Sequence, residues 1–130
     1  MNRSILIRTG AVALTGVAAL GLAAPAFAND ADVIRRGNCS AGADWKLKAS
    51  PENGRIEVEA EVDSNVTGQN WKWKLLHNGE ISARGSATTT GRSGSFEVRR
   101  LMVNAPGQDS IGVQARNPKT GEVCRGSLNF

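Results

Sequence analysis

Apolar and polar residues alternate with a period of two along most of the chain. Trp45, Leu47 and Ala49 alternate with Lys46 and Lys48, and Ile56, Val58, Ala60 and Val62 alternate with Glu57, Glu59, Glu61 and Asp63. Trp71, Trp73 and Leu75 enclose Lys72 and Lys74. Ile81 and Ala83 follow, then Phe96 and Val98, then Ile111, Val113 and Ala115, and finally Cys124, Gly126 and Leu128. Side chains of a strand point alternately to opposite faces, so this pattern predicts seven short half-buried strands. No segment has the i, i+3, i+4 spacing of a substantial helix.

Turn chemistry falls between these runs. Pro51-Glu52-Asn53-Gly54 and Pro118-Lys119-Thr120-Gly121 share a layout, with Pro opening a turn and Gly closing it in the left-handed region. A four-residue loop at 51–54 sets Leu47 opposite Val58 and Lys48 opposite Glu57. The same loop at 118–121 sets Ala115 opposite Cys124. At the third hairpin, a three-residue loop His77-Asn78-Gly79 pairs Leu75 with Ile81 and Trp73 with Ala83. Alternation fails over Arg99-Arg100-Leu101-Met102-Val103, which predicts a bulge near Arg99.

Seven strands in about a hundred residues predict an all-β fold, an immunoglobulin-like two-sheet antiparallel sandwich. The first, second and fifth strands form one sheet, and the third, fourth, sixth and seventh the other. A small β-barrel is the alternative closed solution. Trp45, Trp71 and Trp73 are expected in the core, because too little large apolar volume remains without them.

Residues 1–28 read as a signal peptide. Arg3 and Arg8 are followed by an uncharged run from Ala11 to Ala24, then by Ala24-Pro25-Ala26-Phe27-Ala28, a small-residue cleavage pattern. The run is shorter than the roughly 20 residues of a membrane span, so no stable membrane insertion is expected after cleavage. Residues 29–40 read as a polar leader and residues 41–130 as the sandwich domain. Export makes a disulfide durable, and the chain has only two cysteines, so the pairing is Cys39–Cys124.

The strings ADWKLK, GRIEVEAEVDSN, GQNWKWKLLHNG, GSFEVRR and GEVCRGSL resemble a group of small secreted actinobacterial proteins of unassigned function. The resemblance spans most of residues 29–130. It implies export and a single disulfide, and it supplies no catalytic or binding residues. The stretch from Ser93 to Arg100 bears a weaker similarity to the antibiotic carrier apoproteins of the neocarzinostatin type. The second disulfide of that family has no counterpart here, and no chromophore pocket is carried over.

Composition narrows the chemistry. The chain of 130 residues is one domain's worth, with 16 Lys+Arg, 12 Asp+Glu and one His. Arg3 and Arg8 leave with the signal segment, which halves the formal excess of four positive charges, so net charge alone argues weakly for a polyanion partner. A lone imidazole and two committed cysteines leave no metal-ligand set, and no cofactor motif is present. His77 is expected as an exposed turn residue without a nucleophile, and the protein is expected not to be an enzyme.

What remains is an asymmetry between sheet faces. Lys72, Lys74, Arg84, Arg116 and Arg125 fall on the outer face of the second sheet, whereas Lys46, Lys48 and Glu97 join the Glu57–Asp63 stripe on the first. The expected function is therefore a secreted, extracellular binding module, docking on an anionic cell-wall polymer through that basic face. No nucleic-acid partner is expected, since export removes the opportunity and no stacking aromatic is exposed. The alternative is a protein–protein adaptor or inhibitor acting through the loops Gly85–Gly94 and Val103–Asp109.

Overall fold

The computed structural model describes residues 31–130, and the expected signal segment over 1–28 lies outside the described residues. Among the described residues there are eight strands: β1 (Val33–Asn38), β2 (Asp44–Glu52), β3 (Arg55–Asp63), β4 (Asn70–His77), β5 (Glu80–Thr88), β6 (Ser95–Val103), β7 (Ser110–Arg116) and β8 (Val123–Asn129). They form two four-stranded antiparallel sheets, ordered β1-β2-β3-β6 and β5-β4-β7-β8. This is the expected sandwich with the expected division of strands, plus one strand. No described helix is long and apolar enough to cross a membrane.

The extra strand corrects the polar-leader reading. β1 pairs with β2 from Val33↔Ala49 to Asn38↔Asp44. Its inward positions are Val33, Arg35 and Gly37, so only one large apolar side chain marks it in the sequence. Backbone hydrogen bonding to the edge of β2, rather than side-chain burial, makes it a strand.

Two hairpins also differ from expectation. Glu52 pairs with Arg55 across a two-residue Asn53-Gly54 turn, so Ala49 faces Val58, Leu47 faces Ala60, and Lys48 faces Glu59. Asn53 and Gly54 have φ of 49° and 81°, the doubly left-handed form that matches strand twist. The slip is two residues, so every side chain keeps its face. At the β4–β5 hairpin, Asn78-Gly79 is likewise a two-residue turn, and a bulge then shifts the register between Leu76↔Ile81 and Leu75↔Ala83. The bulge restores the alternation that a longer loop was expected to supply. The 118–121 loop is as expected, with Ala115 opposite Cys124.

The β3–β6 register runs without interruption from Asp63↔Ser95 to Arg55↔Val103, so no bulge lies near Arg99. Phe96, Val98 and Met102 are buried on the inner face, and Arg100 shares their parity. Its guanidinium reaches 5.2 Å from the ring centroid of Trp73, a cation–π contact that lets a charged side chain occupy a core-facing position at a sheet edge.

The core lies between the layers. Leu47, Ile56, Val58 and Val62 of one sheet meet Trp71, Leu75, Ile111 and Val113 of the other, all buried. Trp71 tilts against Phe96 across the interface, with centroids 6.3 Å apart, and its indole N–H donates to Gln69 Oε1 at 3.2 Å. Trp73 is buried too, while Trp45 is half-buried against the core margin. The disulfide Cys39–Cys124 joins the end of β1 to β8 and so ties the two sheets together. Beside it, Ser40 N–H donates to Val123 O and Val123 N–H donates to Ser40 Oγ, each at 2.9 Å.

Candidate functional site

The outer face of β5-β4-β7-β8 gathers the five sequence-predicted cations. In the strand register Lys72 neighbours Arg116, and Lys74 lies between Arg84 and Gln114, which in turn neighbours Arg125. Neighbouring strands are about 4.8 Å apart, so Arg84, Lys74, Gln114 and Arg125 form a row crossing all four strands. Lys72 and Arg116 form a second row beside it. All five cations line one open groove of about 450 Å³. Lys72, Arg84, Arg116 and Arg125 are exposed and Lys74 is half-buried. Among the described residues, no carboxylate forms an ion pair with any of the five.

The opposite outer face is built differently. Glu59 forms an ion pair with Arg99, which also lies 3.6 Å from Glu97, and Lys48 lies 3.6 Å from Asp32. Burial, and then the neighbouring Glu59, push the Glu97 carboxyl above its usual range. A groove of about 570 Å³ at the end of this face is lined by Arg36 and Lys46 together with Asp44, Glu61 and Asp63. Size does not separate the two grooves. The sign of the charge does: one is purely cationic and the other mixed.

His77 is not the exposed turn residue expected. It ends β4 with its side chain 18% exposed, and its Nε2 lies 2.6 Å from Oδ1 of the fully buried Asp109. Ala105 N–H donates to the same oxygen at 3.3 Å, and the Asn78 amide approaches it at 3.5 Å. The backbone of Asp109 exchanges hydrogen bonds with Phe130. The hydrogen bond from His77 holds the Asp109 carboxyl below the usual range, against the opposing effect of burial. No hydroxyl or thiol of the described residues hydrogen-bonds the imidazole. The pair fastens the 104–109 loop to the β4–β5 turn and the C-terminal segment.

The two candidate interaction loops are also reshaped. β5 continues to Thr88, so Gly85–Thr88 belong to a strand and the loop is only 89–94. Thr89 is buried, with its hydroxyl donating to Val66 O at 2.6 Å and accepting from Gln69 N–H at 2.9 Å. The Val103–Asp109 loop is pinned at Asp109. Sequence reasoning also passed over Glu122, whose buried Oε2 accepts Ala41 N–H at 3.0 Å and Ala43 N–H at 2.8 Å. No local pattern marks that role, because donors and acceptor lie some eighty residues apart.

Compared with known protein families, curated proteins and solved structures, the chain finds no match. The class of protein is therefore defined by the fold and its faces alone: an all-β, disulfide-linked two-sheet sandwich with a cationic groove on the outer face of one sheet.

Proposed function

We propose that the protein is an exported, non-enzymatic β-sandwich module that docks on an anionic polymer at the cell exterior. The groove lined by Lys72, Lys74, Arg84, Arg116 and Arg125, with no carboxylate among the described residues paired to any of them, is the observation that carries this reading. Unpaired cations on a common face add their fields and attract a polyanion, whereas interleaved charges cancel over a short distance. The three arginines supply flat forks suited to phosphate or carboxylate oxygens, and the two lysines supply mobile point charges. The signal-like segment and the Cys39–Cys124 disulfide support an extracellular setting.

Co-sedimentation with isolated cell-wall fragments tests the proposal. Binding at low ionic strength is expected to weaken as salt rises, and to disappear in a Lys72→Glu, Lys74→Glu variant. Failure of the unmodified protein to bind at low salt, or full binding by the variant, contradicts it.

A further inference from the structure

We propose that the free edge of β5 is a second binding site, which takes an extended acidic peptide segment as an added strand. The ligand and the structural element both differ from those of the polymer-docking reading. Among the described residues, β5 hydrogen-bonds only β4 within its sheet. Thr89 N–H bonds Gln69 O, so in the alternating ladder the odd-numbered residues Gly85 and Ala87 face β4. The even-numbered Arg84, Ser86 and Thr88 then direct their N–H and C=O groups away from the sheet. Thr90 continues that series, and its N–H and C=O are already taken by Ser95 in an antiparallel bridge. One end of this edge thus already accepts a strand residue, and the stretch from Arg84 to Thr88 is open.

Nothing in the side chains shields that stretch. Ala83, Gly85, Ser86 and Ala87 are small, and the strand is largely exposed. Each of the other edges is engaged at one end and carries larger side chains along it. β1 and β8 are joined by the disulfide and the Ser40–Val123 clasp, and β6 begins with Ser95 bonded to Thr90 and carries Arg99 and Arg100. Strand addition supplies affinity through main-chain hydrogen bonds and specificity through alternate side chains.

The alternate side chains of an added strand fall beside Arg84, with Lys74 on the next strand. Opposite charges across neighbouring strands attract and like charges repel. The matching ligand is therefore an extended segment with Asp or Glu at every second position. Its intervening side chains lie over Ala83, Gly85 and Ala87, where small apolar residues fit. A second copy of the chain fits poorly, because pairing through this edge sets two basic faces side by side on one continuous sheet.

A labelled peptide of alternating Val and Glu, titrated into the disulfide-bonded protein, reads the site directly, with a Val–Lys peptide as control. Saturable binding of the acidic peptide alone is expected. Thr88 is exposed and its N–H faces away from β4, where proline is tolerated in an edge strand. Thr88→Pro is expected to weaken peptide binding by about tenfold or more, while sedimentation with wall fragments is unchanged, which also shows that the variant folds. Arg84→Glu is expected to reverse the preference towards the lysine peptide. Equal binding of the acidic peptide to the Thr88→Pro variant, no binding to the unmodified protein, or a dimer that Thr88→Pro dissociates would each overturn the proposal. Loss of polymer binding with retained peptide binding would refute the docking reading alone.

Discussion

The indole of Trp45 occupies the space that a side chain at position 126 would need. A Cβ built on Gly126 falls against the six-membered ring, and one built on Gly37 falls 2.7 Å from the same indole. Trp45 is thus wedged between β1 and β8, beside the disulfide, and fills the seam where the two sheets meet. Gly126→Ala is expected to destabilise the protein by about 1–3 kcal/mol, the usual cost of overpacking. Urea unfolding measures it, and an unchanged midpoint would show that Trp45 moves aside freely.

The disulfide holds the same seam covalently. Its partners are 85 residues apart, and loop-closure entropy for that length corresponds to about 4–5 kcal/mol as an upper figure. A Cys39→Ser, Cys124→Ser variant is expected to unfold at markedly lower denaturant. The same loss should follow reduction of the unmodified protein.

Glu122 contributes to this corner as a buried acceptor for two backbone N–H groups. Glu122→Ala leaves both donors without that acceptor, and about 1–3 kcal/mol of stability should be lost. Glu122→Gln keeps an oxygen in place and should lose less, which separates hydrogen bonding from packing in denaturant titrations.

The Asp109–His77 pair makes stability depend on acid. The folded-state carboxyl of Asp109 lies below its unfolded value, chiefly through the hydrogen bond from His77. Its contribution is therefore present above the unfolded value, near pH 4, and is lost as pH falls through the lower folded value. His77→Ala removes the principal donor, so the acid-unfolding midpoint should move to higher pH. A midpoint that stays in place would show that Ala105 and Asn78 suffice to hold the carboxylate.

Most of the face assignment was legible in the sequence, because period-two alternation fixes which side chains share a surface. The Asn53-Gly54 hairpin slipped by two residues against expectation, and an even slip preserves faces. The β4–β5 register also shifts by two, from Trp73 opposite Ala83 to Trp73 opposite Gly85, so Lys72, Lys74, Arg84, Arg116 and Arg125 share one side of the sheet in the structure as in the pattern. β1 was illegible because Val33 is its only large apolar residue facing inward. Arg100 looked like a break in the pattern, since a charge at an inward position has no signature until Trp73 is found beneath it. The Asp109–His77 contact joins residues 32 apart, and no local motif announces it.

The central claim is that a polyanion docks on the outer face of β5-β4-β7-β8. Its most direct test is a backbone amide NMR titration of the disulfide-bonded protein with inorganic polyphosphate at low salt. Shifts confined to the surroundings of Lys72, Lys74, Arg84, Gln114, Arg116 and Arg125, and reversed by added salt, are the predicted result. Shifts centred on the Glu57–Asp63 face, or none at saturating polyphosphate, would contradict the account.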